Sequence, residues 1–312
     1  MISSPNSPKI KVIGVGGAGG NAVSQMIRSG IRGVELIAVN TDLQDLKNTK
    51  AHLKVPIGQE LTGGLGTGMN PVLGKRAAEE DKEKLAKLLN NTEMVFIACG
   101  LGGGTGSGAS PILAEMAKER GILTLAIVTL PFSFEGRSRQ AIAKKGLEEL
   151  KARVDTLISI ENDRILKLAG GEFSLKSAFA ACDEILQQAV QGISDLILLP
   201  GIINVDFADV KAIMRNSGTA LFGIGKAKGE KRAERAAKLA IQSPLLSLSC
   251  KGAKGVLFNI SGGKDISLAE IEEVAKVITQ EMNSQAKVIF GAIQDERLKK
   301  GEIKVTVIAT GF

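Results

Sequence analysis

From Cys99 to Gly108 the chain reads Cys-Gly-Leu-Gly-Gly-Gly-Thr-Gly-Ser-Gly, a run almost without side chains. Glycine at this density lets backbone N–H groups close around an anion, and a helix N-terminus behind them adds partial positive charge. The chemistry that suits is phosphate binding by the backbone, with Gly102, Gly103, Gly104, Thr105 and Gly106 at its centre. No Gly-Lys-Ser or Gly-Lys-Thr triplet follows, so this is not the lysine-bearing P-loop. Thr105 is the only polar side chain within Gly104-Thr105-Gly106; its hydroxyl can bind a terminal phosphate oxygen or bond its own backbone.

Two further glycine clusters bear on the same chemistry. Gly14-Val15-Gly16-Gly17-Ala18-Gly19-Gly20-Asn21 contains the G-x-G-x-x-G spacing of dinucleotide-binding folds. Taken alone it supports an NAD- or FAD-dependent oxidoreductase, with Asp42, after the second strand, holding a ribose. The third cluster, Gly63 to Gly68, precedes another helix. Three such loops fit a triphosphate wrapped on several sides better than a dinucleotide held on one. Phosphate charge with no lysine to meet it calls for backbone amides, a helix dipole and a metal ion held mainly by phosphate and water, as Mg²⁺ usually is.

Phe179 and Asp183 stand four apart at the start of a long helical pattern and share one face. A phenyl ring can stack on a base, and an ionised carboxylate accepts from the adjacent N1–H and 2-amino donors of guanine. A core phenylalanine beside a solvated acid is the plainer alternative. Asn204, Asp206 and Asp209 lead into a later helix, where Asp206 can serve as an N-cap or in catalysis. From Asp183 to Leu199 the 16-residue separation corresponds to roughly 24 Å of helix. The seven residues on to Asp206 can double back through roughly 23 Å, but Asp209 opens a packed helix. If these acids act on phosphate, it belongs to another molecule.

The elements that position these residues alternate in the first half of the chain. Strands are expected at Lys9 to Val15, Val34 to Val39, Met94 to Ala98, Ile122 to Thr129 and Val154 to Ile160. Helices are expected at Asn21 to Ser29, Pro71 to Leu89, Pro111 to Arg120 and Ser138 to Lys151. Near-continuous apolar strands in such alternation mean a parallel sheet with helices on both faces. A long helix, Ser177 to Leu199, stops at Pro200-Gly201. Beyond it come helices at Ala208 to Arg215, Glu230 to Ile241 and Ser267 to Met282. Strands are expected at Thr219 to Gly225, Gly255 to Ile260, Lys287 to Ile293 and Glu302 to Ala309. The expected organisation is a disordered lead-in (1–8), a nucleotide-binding domain (9–175), a central helix (176–200) and a smaller mixed-sheet α+β domain (201–312).

Composition narrows the class. At 312 residues, with 44% hydrophobic and 23% charged, the chain is that of a globular protein with a large core. Its longest apolar stretch, Ile122 to Leu130, is too short to span a bilayer, and the N-terminus lacks a secretion signal, so a cytoplasmic protein is expected. Cys99, Cys182 and Cys250 form no C-x-x-C pair, arguing against a zinc site or disulfide framework. His52 is the only histidine, which removes histidine triads. The +7 charge is spread among acids and aromatics are few, so no nucleic-acid partner is expected.

Read together, these residues resemble the tubulin superfamily and, within it, the bacterial cell-division (FtsZ) branch. Gly102-Gly-Gly-Thr-Gly-Ser-Gly108 matches the superfamily's signature loop. The likeness continues through Ile10-Lys-Val-Ile-Gly-Val-Gly-Gly17, Ala38-Val-Asn-Thr-Asp42, Phe134-Glu-Gly-Arg137, Asn204-Val-Asp-Phe-Ala-Asp-Val-Lys211 and Val305-Thr-Val-Ile-Ala-Thr-Gly-Phe312. The resemblance implies a Rossmann-like GTPase domain joined by the central helix to the smaller domain. Gly16 to Asn21, Gly68 and the signature loop would hold GTP or GDP phosphates, with Mg²⁺. Glu135 and Arg139 would hold the ribose and neighbouring groups, Phe179 with Asp183 the guanine, and Asn162 would make a further nucleotide contact near the base. It further implies head-to-tail self-assembly at a mid-cell division ring, Asn204, Asp206 and Asp209 of one subunit completing the GTPase site of the next. A polymer that binds GTP without hydrolysing it is the other expectation.

Three features depart from the family pattern. Leu130 stands where Lys or Arg usually precedes Pro131-Phe132, Glu161 replaces a usual proline before Asn162-Asp163, and the net charge is basic where relatives are commonly acidic. Relatives continue into a linker and short peptide that meets membrane tethers; this sequence stops at Phe312.

Overall fold

The computed structural model describes residues 7–168, 174–243 and 252–312. The chain divides into two compact units, Met1–Gln191 and Gly192–Phe312.

Among its described residues the first unit holds six strands: β1 (Ile10–Val15), β2 (Val34–Asn40), β3 (Leu53–Pro56), β4 (Met94–Gly100), β5 (Leu123–Leu130) and β6 (Thr156–Glu161). All pair in parallel, in the order β3-β2-β1-β4-β5-β6. This is the doubly wound order, in which the chain runs outward in one direction from β1 and in the other from β4. Crossover helices α1 (Gly16–Ser29), α4 (Pro71–Glu80), α5 (Lys82–Leu88), α6 (Gly104–Glu119) and α7 (Arg137–Lys151) cover its faces. Ile13, Val39, Val95, Ile97, Ala126 and Val128 are buried in one core with Leu85, Leu113 and Leu150 from the helices. Strands covered on both faces explain the continuous apolar runs.

Four short elements escape periodicity because each is under two helical turns or one short strand. They are α2 (Leu43–Asn48), β3, α3 (Gln59–Thr62) and α8 (Asn162–Leu168). His52 lies just before β3, and its Nδ1 accepts from Leu36 N–H at 3.0 Å. The expected helix Pro71 to Leu89 is two, broken at Asp81. The Asp81 carboxylate turns inward to accept from Gly58 N–H at 2.8 Å, and the backbone bends to deliver it.

In the second unit, β10 (Glu302–Thr310) pairs antiparallel with β7 (Gly218–Lys228) and β8 (Gly255–Gly262), and β8 pairs parallel with β9 (Lys287–Gln294). This mixed sheet buries Phe258, Ile260, Val305 and Val307 against Ala236, Ala240, Val274 and Ile278 from α11 (Arg232–Ile241) and α12 (Leu268–Gln280). Helix α9 (Leu175–Leu198) passes from the first unit's residues into the second's, and α10 (Phe207–Met214) follows. No helix among the described residues is long and apolar enough to cross a membrane.

Cys99 and Cys182 are free and buried, and Cys250 lies outside the described residues. So does most of the expected lead-in. The two departures Leu130 and Glu161 are register partners across β5 and β6, and Glu161 pairs with Arg164 at 2.7 Å.

Candidate nucleotide site

In doubly wound sheets ligands bind beyond the carboxyl ends of the strands where the order reverses. Here that point lies between β1 and β4. A cavity of about 390 Å³ opens there, lined within the first unit.

Two helix N-termini form one side. Val15, Gly16, Gly17, Ala18 and Asn21 come from the β1–α1 junction, and Gly103, Gly104, Thr105 and Gly106 from the start of α6. Neither helix has a side-chain cap or an acid in its first turn. Their first N–H groups thus lack both the usual hydroxyl or carboxylate acceptor and a neutralising charge, the condition under which an anion serves as cap.

The glycine run is therefore not a turn before a helix at Pro111, as periodicity suggests. It is the first turn of α6 itself, with Pro111 in the helix interior. Close packing overrides proline's cost: a Cβ at Gly104 would sit 2.6 Å from Asn70 N, and one at Gly108 2.1 Å from Pro71 O. Likewise α1 begins at Gly16, five residues before the expected start, because Gly16 adopts φ +72° and turns the chain directly out of β1.

Four sequence-selected glycines lie off the cavity wall, three of them packed against other atoms. Gly19 faces the sheet, where a Cβ would meet Ala98 O at 2.4 Å. Gly20 packs against Thr49, and Gly102 against Arg139 and Pro131. Gly68 is exposed, and its neighbour Thr67 reaches the cavity instead.

The opposite wall carries the polar side chains. Glu135, in a single 3₁₀ turn, accepts from Phe132 N–H at 2.8 Å and from Arg139 Nη1 at 2.6 Å. Asn162, the first residue of α8, is buried with its Oδ1 unpaired, and Arg139 Nε is likewise unpaired. Buried polar atoms are seldom left so, and both belong to residues lining this cavity, so a ligand offering a donor and an acceptor fits the wall.

Phe179, Cys182 and Asp183 on α9 close the cavity. The Phe179 ring, 41% exposed, stands edge-on to buried Phe132 at 5.3 Å, and Phe132 stacks on Phe134 at 4.9 Å. It is thus not a core phenylalanine. Burial pushes the Cys182 thiol up to about 12, leaving it an inert apolar wall. Burial also raises Asp183 to about 7, partly opposed by Arg28. A carboxyl so placed is stabilised in its ionised form by any ligand that donates to it.

The acids Asp206 and Asp209, with Asn204, belong to the second unit and are exposed. Asn204 Oδ1 accepts from Gly201 N–H at 2.7 Å, fixing the loop. Asp206 occupies the N-cap of α10 yet makes no capping hydrogen bond, so its carboxylate is not used locally. Asp42, the ribose acid of the dinucleotide reading, caps α2 through Asp45 N–H at 2.9 Å.

Comparison with known proteins identifies the family and the fold. Residues 9–170 match the sequence family described as Tubulin/FtsZ family, GTPase domain, and residues 218–312 match FtsZ family, C-terminal domain. An FtsZ dimer from M. jannaschii, solved empty, is 45% identical with a TM-score of 0.94, covering 98% of this chain and 89% of its own. CetZ2 from Haloferax volcanii, solved as a GTPγS-bound protofilament, is 27% identical with a TM-score of 0.81, over 96% and 92%. CetZ1 from the same organism, a GDP-bound monomer at 24% identity and a TM-score of 0.80, shares the fold over 97% and 94%. These matches set the oxidoreductase alternative aside: the chain belongs to the Tubulin/FtsZ family of cytoskeletal GTPases.

Proposed function

We propose that this GTPase hydrolyses GTP at the junction between successive subunits of a head-to-tail filament. The observation that carries the reading is a division of labour. One cavity of the first unit gathers two uncapped helix N-termini, the unpaired Asn162 Oδ1 and Asp183, while the free acids Asp206 and Asp209 stand on the second unit. A contact between two different faces of one chain does not close on itself and yields open filaments.

In this reading Gly16, Gly17, Ala18 and Gly103 to Gly106 bind phosphates through backbone N–H groups, and Thr105 adds its hydroxyl. Glu135 orients Arg139, and the two hold the ribose and its neighbours, while Asn162 contacts the nucleotide near the base. Phe179 stacks on guanine while Asp183 accepts from N1–H and the 2-amino group. Asn204 positions the loop of the adjoining subunit, and Asp206 and Asp209 orient and polarise the attacking water. The described residues hold no cluster of three or more acidic, histidine or cysteine ligands, so Mg²⁺ would enter on the nucleotide, held by phosphate and water. There it would neutralise charge on the terminal phosphates. The likeness to FtsZ supports a place in the division ring at mid-cell.

The test is turnover against protein concentration. Specific activity should fall steeply below the concentration at which filaments pellet, and Asp209→Ala should abolish turnover while leaving GTP affinity within about twofold. Activity that stays flat on dilution sinks the shared site. A wild-type chain that binds GTP and assembles without releasing phosphate is the non-hydrolysing polymer instead.

A further inference from the structure

The loop that carries Asn204 and leads to Asp206 and Asp209 is held between two elements of the second unit. It leaves α9 at Leu199, whose N–H donates to Asp195 O at 3.0 Å. It is then tied to β9: Ile202 and Ile203 N–H donate to Ala292 O at 2.7 and 3.1 Å, and Ala292 N–H donates back to Ile203 O at 3.1 Å. Packing leaves no slack there, since a Cβ on Gly291 would lie 2.6 Å from Leu196 Cδ2 on α9 and 3.1 Å from Val205 Cγ2. The position of the loop therefore depends on how the end of α9 meets the end of β9.

Those two ends carry buried acids. Asp195 lies in the last turn of α9, and Asp295 directly follows β9; they are 4% and 5% exposed. One guanidinium joins them. Arg297 Nε and Nη2 grip Asp295 at 2.7 and 3.0 Å, and the same Nη2 donates to Asp195 Oδ2 at 2.7 Å. The two carboxylates thus lie within two hydrogen-bond lengths of each other, with Lys304 Nζ 3.8 Å from Asp295 as the second cation. Burial alone would push the Asp295 carboxyl up, yet Arg297, helped by Lys304, holds it below the ordinary carboxylate range. Without Arg297, two buried like charges would face each other across one lysine, and their repulsion acts along the line that separates α9 from β9.

We propose that Arg297 is a positioning residue for GTP hydrolysis: by clamping Asp195 to Asp295 it fixes the Asn204–Asp209 segment that one subunit presents to the nucleotide of the next. The inference rests on reading those acids as half of a shared site. Arg297 acts through the two supports of the loop and not on the nucleotide.

The test uses the full chain at saturating GTP above its assembly concentration, with thermal melts to verify the fold and GTP affinity read below that concentration. Arg297→Met should lower kcat roughly tenfold or more while GTP affinity stays within about twofold. Adding Asp195→Asn removes one of the two facing charges and should restore turnover to at least about half of wild type; this double variant carries the test if Arg297→Met alone does not fold. Mixing then assigns the defect to a face. Combined with Asp183→Asn, whose pocket is defective and whose acids are sound, Arg297→Met should gain activity over either protein alone, because its own pocket is sound; combined with Asp209→Ala it should gain none. Unchanged kcat, an equal loss of GTP affinity, no rescue by Asp195→Asn, or the opposite pattern on mixing each overturns the assignment. If Asp183→Asn and Asp209→Ala mixed together gain nothing, the shared site itself fails.

Discussion

Asp183 is the residue whose chemistry its surroundings change most. Burial raises its pKa to about 7, whereas the proposed contact with the guanine donors needs it ionised. Below neutrality, binding must expel a proton, so GTP affinity should fall by up to about tenfold per pH unit below pH 7 and level off above it. The nucleotide's own phosphate also titrates, so the comparison is with Asp183→Asn. That variant should bind GTP weakly and lose the part of the pH dependence due to the carboxyl, as isothermal titration from pH 6 to 8.5 would show. In the empty protein the sign reverses. A raised folded pKa gives stability that is present at low pH and lost as pH climbs from about 4 to 7. Asp183→Asn should therefore raise the melting temperature of the nucleotide-free protein at pH 8 and scarcely alter it at pH 4.

At the scale of elements, the signature loop does two jobs that glycine serves for different reasons. Gly103 lines the cavity, with nothing within 4 Å of an added Cβ and an ordinary extended backbone. Gly108 lies against α4, where a Cβ would strike Pro71 O at 2.1 Å and Lys75 N at 2.6 Å, both backbone atoms that cannot move aside cheaply. Gly108→Ala should cost about 2–3 kcal/mol by forcing α4 and α6 apart. That corresponds to a melting temperature lower by roughly 5–10 °C. Gly103→Ala should leave the melting temperature within about 2 °C, since the site is open and unstrained. Equal melting curves for the two variants would refute the packing role of Gly108.

For the whole molecule, the separation of pocket and acids onto two units has a consequence no single subunit can display. Asp183→Asn has a defective pocket with sound acids, and Asp209→Ala the reverse, so each alone should be inactive. Mixed in equal amounts, they should recover GTPase activity, because roughly a quarter of randomly formed heterologous junctions join a sound pocket to sound acids. Phosphate release from the mixture, against the two proteins assayed apart, is the measurement. A mixture as inactive as its components contradicts a site shared between subunits.

Much of this was legible along the chain because it is local. Glycine spacing announces backbone phosphate binding, apolar runs between helical patterns announce a parallel sheet, and Phe179 and Asp183 share a face simply by standing four apart. The resemblance carried by Gly102 to Gly108 then named the family. What tertiary structure alone decided is which atom lies across from which. It turns Gly19 and Gly20 inward and carries α6 through Pro111. It breaks a helix at Asp81 for the sake of Gly58, 23 residues away, and raises Asp183 by burial. It also brings Thr41 and Thr67, 64 and 38 residues from Thr105, to one hydroxyl cluster. Periodicity and motif spacing report on neighbours in sequence. Packing, desolvation and hydrogen bonding act between neighbours in space, and at these positions they set the chemistry.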